Sequence, residues 1–329
     1  MSLRYRQLGP LKVSVLGMGA LHFGVYLTEA EAVALIHRAL DLGVNFIDTA
    51  PMYGHGHSEE IVGKAVTGRR HQVLLATKVG LAPASSWNGP FRAAVQPLSK
   101  QAIRQSLARS LQALNTDYLD LYQLHAYHQE TLEEALETLD SLVREGLVRA
   151  IGCSNFSPAE LRQAEVLSQV KFSSHQVQYN LLERRAERTA LKTCLDLGVG
   201  VICNRALCYG ILSGKYRPGQ PPPEGSRGAL SSKVRGKLKP PVLELAAALH
   251  KLAWESGHSG TDLAIAWLLR QPAVACVLAG MRDIRQLEAN ARATGWVLSE
   301  ADELEINRVT ADLGQLSRVL DQPRRFLLP

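Results

Sequence analysis

The chain has 329 residues, 46% of them hydrophobic and 21% charged, a composition typical of a globular protein with one large core or two smaller ones. Its formal net charge of +6 is dispersed and aromatic residues make up only 6%, which argues against a nucleic-acid-binding surface. No apolar run reaches the roughly 18 to 20 residues of a membrane span, and the N-terminus lacks the apolar region of a signal peptide.

The five cysteines indicate the redox compartment. They are odd in number, form no C-x-x-C pair and mostly lie in apolar runs. This pattern favours buried, reduced thiols over a disulfide framework. We therefore expect a soluble, cytoplasmic protein without a membrane or nucleic-acid partner, and the sequence gives no oligomeric state.

The predicted elements begin with a polar–apolar alternation from Leu3 to Val15, interrupted at Gly9 and Pro10, which indicates a β-hairpin. Strand-like and helix-period segments then alternate along the chain. The first helix carries a capping box, Thr28 with Glu31. The predicted strand–helix pairs are 15–21 with 28–43, 45–50 with 58–66, 73–79 with 99–115, 118–126 with 131–146, 148–156 with 157–168, 173–180 with 183–198, 200–207 with 260–271, and 273–280 with 283–294.

Eight such pairs, with strands rich in Val, Ile and Leu, predict a single α/β domain over 1–329 folded as a (β/α)8 TIM barrel. The N-terminal hairpin and extra helices toward the C-terminus, including one at 242–257, would be additions to it. The Pro- and Gly-rich segment 217–241 is expected to be a mobile loop over the barrel mouth.

A doubly wound sheet is the structural rival, because "GMGALHFG" begins like a dinucleotide-binding fingerprint. His22 occupies the position of its third glycine, however. No acidic residue follows at the end of a second strand in a ribose-binding context. The barrel interpretation is therefore preferred.

Four chemically active side chains fall at the C-terminal ends of three consecutive predicted strands, where barrel active sites lie. Asp48 ends the second strand and Tyr53 follows it, Lys78 ends the third strand, and His125 ends the fourth. A buried Asp48 requires a partner, and Lys78 on the neighbouring strand would supply it. Lys78 beside Tyr53 would favour the phenolate, so that Tyr53 could give and take a proton near neutral pH.

The same set contains neither a nucleophile paired to a base nor a cluster of metal ligands. His55 and His57 flank Gly56 in the loop after the second strand, but no cysteine or carboxylate cluster accompanies them. The sequence therefore predicts proton-transfer chemistry without a metal.

The chain resembles the aldo-keto reductase family from Leu3 to about Leu313. The motifs are "GVNFIDTAPMYGHGHSEEIVGKAV", "LLATKVG", "DLYQLH" and "VRAIGCSNF", in the family's order. Their spelling is closer to the branch that contains potassium-channel β subunits and bacterial aldehyde and sugar reductases than to aldose reductase. The resemblance implies an NADPH-dependent oxidoreductase with Asp48, Tyr53, Lys78 and His125 as its catalytic tetrad. Tyr53 would be the general acid as hydride reaches an aldehyde or ketone, which could be a keto-sugar.

The resemblance also implies where NADPH or NADP+ binds. The residues it assigns are Ser154, Asn155 and Gln176 for the carboxamide, Leu207, Gly210, Ser213 and Lys215 for the pyrophosphate, and Gly280, Arg282, Gln286 and Asn290 for the adenosine phosphate. A helix N-terminus preceded by Arg282 suits the 2′-phosphate of NADP(H). The family's usual aromatic-Ser-Pro at the start of the pyrophosphate loop is replaced by Asn204, Arg205 and Ala206.

The loops after the strands should line the substrate pocket. The candidates in these loops are His22, Phe23, Trp87, Tyr127 and His128. Aromatic and imidazole groups suit a sugar-like or small aromatic carbonyl compound.

Two other functions stay open: an NADP(H)-binding, redox-sensing regulatory subunit of a protein partner, and a phosphate-processing barrel isomerase. Channel β subunits depart from histidine at the position of His125. This chain keeps the histidine, which favours the enzyme over the regulatory subunit. An isomerase would not require all four tetrad residues.

Overall fold

The computed structural model describes residues 3–83 and 93–311. The chain opens with an antiparallel hairpin of β1 (Tyr5–Leu8) and β2 (Leu11–Ser14), as predicted. Leu8, Leu11 and Val13 of the hairpin pack into the same apolar cluster as the inward side chains of the barrel strands, including Phe46 and Leu121. The hairpin therefore contributes to the barrel's interior core.

Eight parallel strands form a closed barrel in chain order. They are β3 (Leu16–Gly19), β4 (Phe46–Asp48), β5 (Leu74–Val79), β8 (Leu119–Leu124), β9 (Val148–Ser154), β10 (Phe172–Gln178), β11 (Gly200–Asn204) and β12 (Val274–Ala279). Pairing of β12 with β3 closes the ring. The predicted (β/α)8 fold is confirmed.

Helices surround the strands. They are α1 (Glu29–Asp41), α2 (His57–Val66), α3 (Lys100–Ala113), α4 (Leu132–Arg144), α5 (Pro158–Leu167), α6 (Ala190–Leu197), α7 (Arg227–Leu230), α8 (Ser232–Arg235), α9 (Pro240–Glu255), α10 (Gly260–Arg270), α11 (Ile284–Ala293) and α12 (Glu300–Val309). The predicted capping box of α1 is present: Glu31 N donates to Thr28 Oγ1, and Thr28 N donates to the Glu31 carboxylate. None of these helices is long and apolar enough to cross a bilayer.

The structure departs from the predicted elements in three places. A hairpin of β6 (Leu81–Pro83) and β7 (Ala93–Val95) follows β5 and was not predicted. Helix α6 begins later than expected, because a short 3-10 turn, Arg185–Arg188, precedes it. The segment 217–241 contains α7 and α8, each capped by a serine side chain, rather than loop alone.

Candidate active site

A buried ion pair joins the ends of β4 and β5. Lys78 Nζ donates to Asp48 Oδ2 at 2.6 Å and to the carbonyl oxygen of Thr49 at 2.9 Å. Both charged side chains are almost completely buried. Burial opposes the charge on Lys78, but the Asp48 carboxylate and the Tyr53 hydroxyl outweigh it and raise the pKa of Lys78. The partner that the sequence predicted for Asp48 is in place.

The second oxygen of Asp48 is held by side chains from β8 and β10. Gln123 Nε2 and Gln176 Nε2 donate to Asp48 Oδ1 at 3.0 and 2.9 Å. The carboxylate thus receives three hydrogen bonds, which offset the cost of burying its charge. Gln123 was not predicted as a site residue. It lies two residues before His125. Because side chains alternate between the two faces of a strand, Gln123 and His125 face the same side.

Tyr53 reaches the ion pair from the turn Tyr53–Gly56, which enters α2. Its hydroxyl lies 3.3 Å from Lys78 Nζ. The ring of His125, at the end of β8, approaches the Tyr53 ring edge-on with 6.4 Å between centroids. The four predicted residues therefore meet at one end of the barrel.

Two adjacent residues at the start of α2 fasten this turn to the strands. Ser58 Oγ donates to Ala20 O at 2.9 Å and lies 3.0 Å from Thr49 Oγ1. Glu59 accepts a 2.6 Å hydrogen bond from Thr77 Oγ1, one residue before Lys78. Burial is the main cause that raises the pKa of Glu59. These contacts fix the turn that bears Tyr53 relative to β3, β4 and β5.

The residues predicted for the carboxamide lie beside the tetrad. Asn155 has a left-handed backbone, with φ of 64°, and its Nδ2 donates to His125 O at 2.9 Å and to Ser154 Oγ at 3.0 Å. Ser154 Oγ in turn lies 3.2 Å from the carbonyl oxygen of Gln176. Asn204 Nδ2 donates to Gln176 Oε1 at 3.3 Å, and Asn204 Oδ1 has no partner among the described residues.

A cluster of positive charges forms a second part of the site. It consists of Lys215, Arg227 and Arg282 around the buried imidazole of His22. Arg227 Nη2 contacts His22 Nε2, and Arg282 Nη1 donates to Gly225 O at 2.7 Å. Burial, followed by these cations, lowers the pKa of His22 to about 2, and burial followed by Arg282 lowers the pKa of Arg227 to about 10. His22 is therefore a neutral acceptor for Arg227.

Sequence reasoning missed Arg227. It lies in α7, inside the segment expected to be loop, 205 residues from His22. Only the closed fold brings α7 over the end of β3, so no local pattern could have identified it.

In the loop predicted to bind the pyrophosphate, the backbone of Gly210 lies close to the side chain of Lys215. Gly210 has φ of 89°, and a Cβ at this position would lie 2.5 Å from Lys215 Cε. Ser213 Oγ donates to Gly210 O at 2.8 Å, and Leu207 is half-buried at the start of this turn. Burial is the main cause that lowers the pKa of Lys215, followed by Arg282 and Arg227. The positive φ of Gly210 favours glycine at this position.

The residues predicted around the adenosine phosphate differ in their contacts. Gln286 is exposed; its Oε1 accepts from Arg282 N, and its Nε2 donates to Asp283. Asn290 is buried, and its Nδ2 has no partner among the described residues. Arg282 Nη2 is likewise buried without a described partner. Gly280 lies beside His22 and Arg227.

The predicted substrate residues are dispersed. Phe23 is fully buried in the main hydrophobic core, so its ring offers no surface to a substrate. Tyr127 packs edge-on against Phe156 and donates to Gln163, and His128 Nδ1 lies 3.0 Å from Thr131 Oγ1. His22 belongs to the cation cluster described above. Trp87 lies outside the described residues.

The sequence model of the aldo/keto reductase family matches residues 15–311. The chain belongs to the aldo/keto reductase family. It is therefore an oxidoreductase of small carbonyl compounds, as the motifs predicted.

Named relatives of this aldo/keto reductase cover most of its length. It is 35% identical to the aldo-keto reductase YhdN of Bacillus subtilis, over 91% of this chain and 90% of the relative. It is 32% identical to the aldo-keto reductase yakc [NADP(+)] of Schizosaccharomyces pombe, over 93% and 91%. It is 31% identical to a probable voltage-gated potassium channel subunit beta of Arabidopsis thaliana, over 88% and 91%. The predicted branch of the family is confirmed.

A solved structure agrees with the fold of this aldo/keto reductase. The glycerol dehydrogenase AKR11B4 from Gluconobacter oxydans superposes with a TM-score of 0.81 at 28% identity, covering 99% of this chain and 98% of that one. The barrel and its additions therefore match a family member along nearly the whole chain.

Proposed function

We propose that this chain is an NADPH-dependent carbonyl reductase in which Tyr53 donates the proton. The observation that carries the proposal is the contact of Lys78 Nζ with both Asp48 Oδ2, at 2.6 Å, and the Tyr53 hydroxyl, at 3.3 Å. A buried ammonium, held by a carboxylate, stabilises the negative charge that remains on the phenol after it gives up its proton.

The residues fit a nicotinamide dinucleotide carrying a 2′-phosphate. Lys215, Arg227 and Arg282 concentrate positive charge at the barrel mouth, and their mutual repulsion calls for an anionic partner. Arg282 Nη2 and Asn290 Nδ2 are buried donors without a described partner, and both lie where the adenosine end was predicted. Ser154, Asn155, Gln176 and Asn204 supply amide and hydroxyl groups beside the tetrad. A relative that carries NADP(+) in its name adds support for NADPH over NADH.

A nicotinamide held beside Ser154, Asn155 and Gln176 would supply the hydride to the carbonyl carbon. Tyr53 donates its phenolic proton to the carbonyl oxygen as the C=O double bond becomes a C–O single bond. Lys78 stabilises the Tyr53 phenolate, and Asp48 keeps Lys78 charged and in place. His125, edge-on to Tyr53, orients the carbonyl oxygen between the two side chains. Water then returns a proton to Tyr53.

A regulatory subunit that binds NADP(H) without turnover is the second candidate, since one relative is named as a channel subunit. Retention of His125 beside Tyr53 favours the enzyme. The test is a fluorescence titration with NADPH and NADH, followed by NADPH oxidation against a panel of aldehydes, ketones and keto-sugars. Tight NADPH binding with turnover supports the reductase. Tight binding without turnover across the panel favours the subunit, and no NADPH binding contradicts both.

A further inference from the structure

Arg205 is a cation at the barrel mouth that the tetrad chemistry does not use. It follows Asn204, the last residue of β11, and stands where the family's usual motif has serine. Its backbone φ is 56°, in the left-handed region that a bulky side chain rarely adopts. Strained residues of this kind cluster at functional sites.

Two neighbours fix the guanidinium of Arg205. Its Cζ lies 4.8 Å from the centre of the Tyr209 ring, and its Nη1 donates to Gln178 Oε1 at the end of β10. The side chain is half-buried. An arginine that is already stacked and oriented loses little conformational freedom when it binds a ligand.

Arg205 has no carboxylate neighbour in the described part of the chain. Within 3–83 and 93–311, no acidic side chain lies within 4.0 Å of it. In the same residues, no hydrogen bond joins its Nε or Nη2 to another protein group. With respect to the described residues, the guanidinium therefore keeps one edge with two donors for an external acceptor.

Arg205 lies between the tetrad and the cation cluster. On one side, its neighbour Asn204 donates to Gln176, which donates to Asp48. On the other side, its positive charge is among those that oppose the charge of Arg227. An anion at Arg205 would therefore be part of the same mouth as the reacting carbonyl.

We propose that Arg205 binds a phosphate group at this mouth. A planar guanidinium matches two phosphate oxygens with parallel hydrogen bonds. The phosphate has two possible sources, a phosphorylated aldehyde substrate or the nicotinamide-side phosphate of the cofactor. The assignment of this mouth to cofactor and substrate rests on the proposed function.

The experiment compares wild type with Arg205→Gln, Arg205→Lys and a control, Arg292→Gln, which changes an exposed arginine of α11. NADPH and adenosine 2′,5′-bisphosphate are titrated by fluorescence and competition; the bisphosphate lacks the nicotinamide-side phosphate. Turnover of glyceraldehyde 3-phosphate and of glyceraldehyde is measured at saturating NADPH. The lysine variant keeps the charge but loses the planar pair of donors, so its loss should be smaller than that of the glutamine variant.

Each source has its own signature. A substrate phosphate predicts that Arg205→Gln lowers kcat/KM about tenfold or more for the phosphorylated aldehyde, with glyceraldehyde turnover and the NADPH Kd unchanged. A cofactor phosphate predicts that the NADPH Kd rises about tenfold or more while the bisphosphate Kd is unchanged.

Two results would overturn the proposal. The first is that Arg205→Gln behaves like Arg292→Gln in every assay. The second is an equal loss of affinity for NADPH and for the bisphosphate, which would indicate general damage to the loop. If the wild-type protein binds NADPH but reduces neither aldehyde, that result counts against the proposed function rather than against the role of Arg205. Arg205 is then decided by titration: an unchanged NADPH Kd rejects the cofactor source, and equal binding of glyceraldehyde 3-phosphate by the NADPH complexes of wild type and Arg205→Gln rejects the substrate source.

Discussion

Lys78 Nζ and Asp48 Oδ2 lie 2.6 Å apart inside the barrel, both almost fully shielded from water. Removing one partner leaves the other charge buried without an opposite charge beside it. We expect Lys78→Met to lower the free energy of unfolding by about 3 to 5 kcal/mol, because Asp48 must stay charged in the core or bind a proton. Urea denaturation at pH 7 measures this loss.

The double variant Asp48→Asn/Lys78→Met is the control for that measurement, since it removes both charges. It should recover part of the lost stability while remaining inactive. A Lys78→Met protein as stable as wild type would show that the ion pair is not the main support of this part of the core.

Glu59 ties α2 to the residue before Lys78 through its hydrogen bond with Thr77. We expect Glu59→Ala to lower kcat by about 10- to 100-fold, because the distance between Tyr53 and Lys78 is no longer fixed. Glu59→Gln keeps an acceptor for Thr77 and should retain most of the activity. Steady-state kinetics and an NADPH titration separate kcat from cofactor binding. Loss of thermal stability in Glu59→Ala with unchanged kcat would limit Glu59 to a structural role.

Arg282 is expected to distinguish NADPH from NADH. Arg282→Ala should raise the Kd of NADPH about tenfold or more and leave that of NADH nearly unchanged, because only NADPH carries the 2′-phosphate. Arg285→Ala, which changes an exposed arginine in the first turn of α11, is the matched control. Fluorescence titration measures both constants. Equal losses for the two cofactors would mean that Arg282 does not contact that phosphate.

His175 should make stability depend on pH. It is fully buried next to Cys194, and burial lowers its pKa to about 4. Between pH 6.5 and 4 the unfolded chain binds a proton at this residue that the folded chain does not. Stability should therefore fall by about 1.4 kcal/mol for each pH unit below 6.5, and this contribution is absent above it.

His175→Leu removes this contribution. The difference in unfolding free energy between pH 7 and pH 5 should be smaller in the variant than in wild type by roughly 2 kcal/mol. Urea denaturation at both values measures it, and titration of other groups cancels in the comparison. Identical differences in the two proteins would contradict a neutral, buried His175.

The meeting of Asp48, Tyr53, Lys78 and His125 was predictable from sequence, because three of them lie at the ends of strands, Tyr53 closely follows one, and parallel barrel strands all end at the same face. Strand alternation and capping residues are local signals, and they located all eight barrel strands. The burial of Glu59 was not predictable, because Glu59 and Glu60 are adjacent acidic residues in the first turn of α2 and only the packed fold buries one of them. Phe23 was misjudged for the same reason, since a loop position in sequence does not reveal that the ring enters the core.

The cation cluster shows most clearly which contacts could not be predicted from the sequence. Lys215 and Arg282 lie in recognisable motifs, whereas Arg227 lies in a segment whose sequence indicates only a loop. Its place beside His22 follows from the packing of α7 over the barrel mouth. Contacts between residues this far apart in the chain depend on the whole fold rather than on any local pattern.

The most direct test of the account is the turnover of Tyr53→Phe at saturating NADPH, with an aldehyde that the wild-type chain reduces. The variant keeps the ring and loses only the hydroxyl, so NADPH should bind with unchanged affinity while kcat falls by about 100- to 10,000-fold. Turnover equal to wild type would contradict the assignment of Tyr53 as the proton donor and, with it, the proposed mechanism.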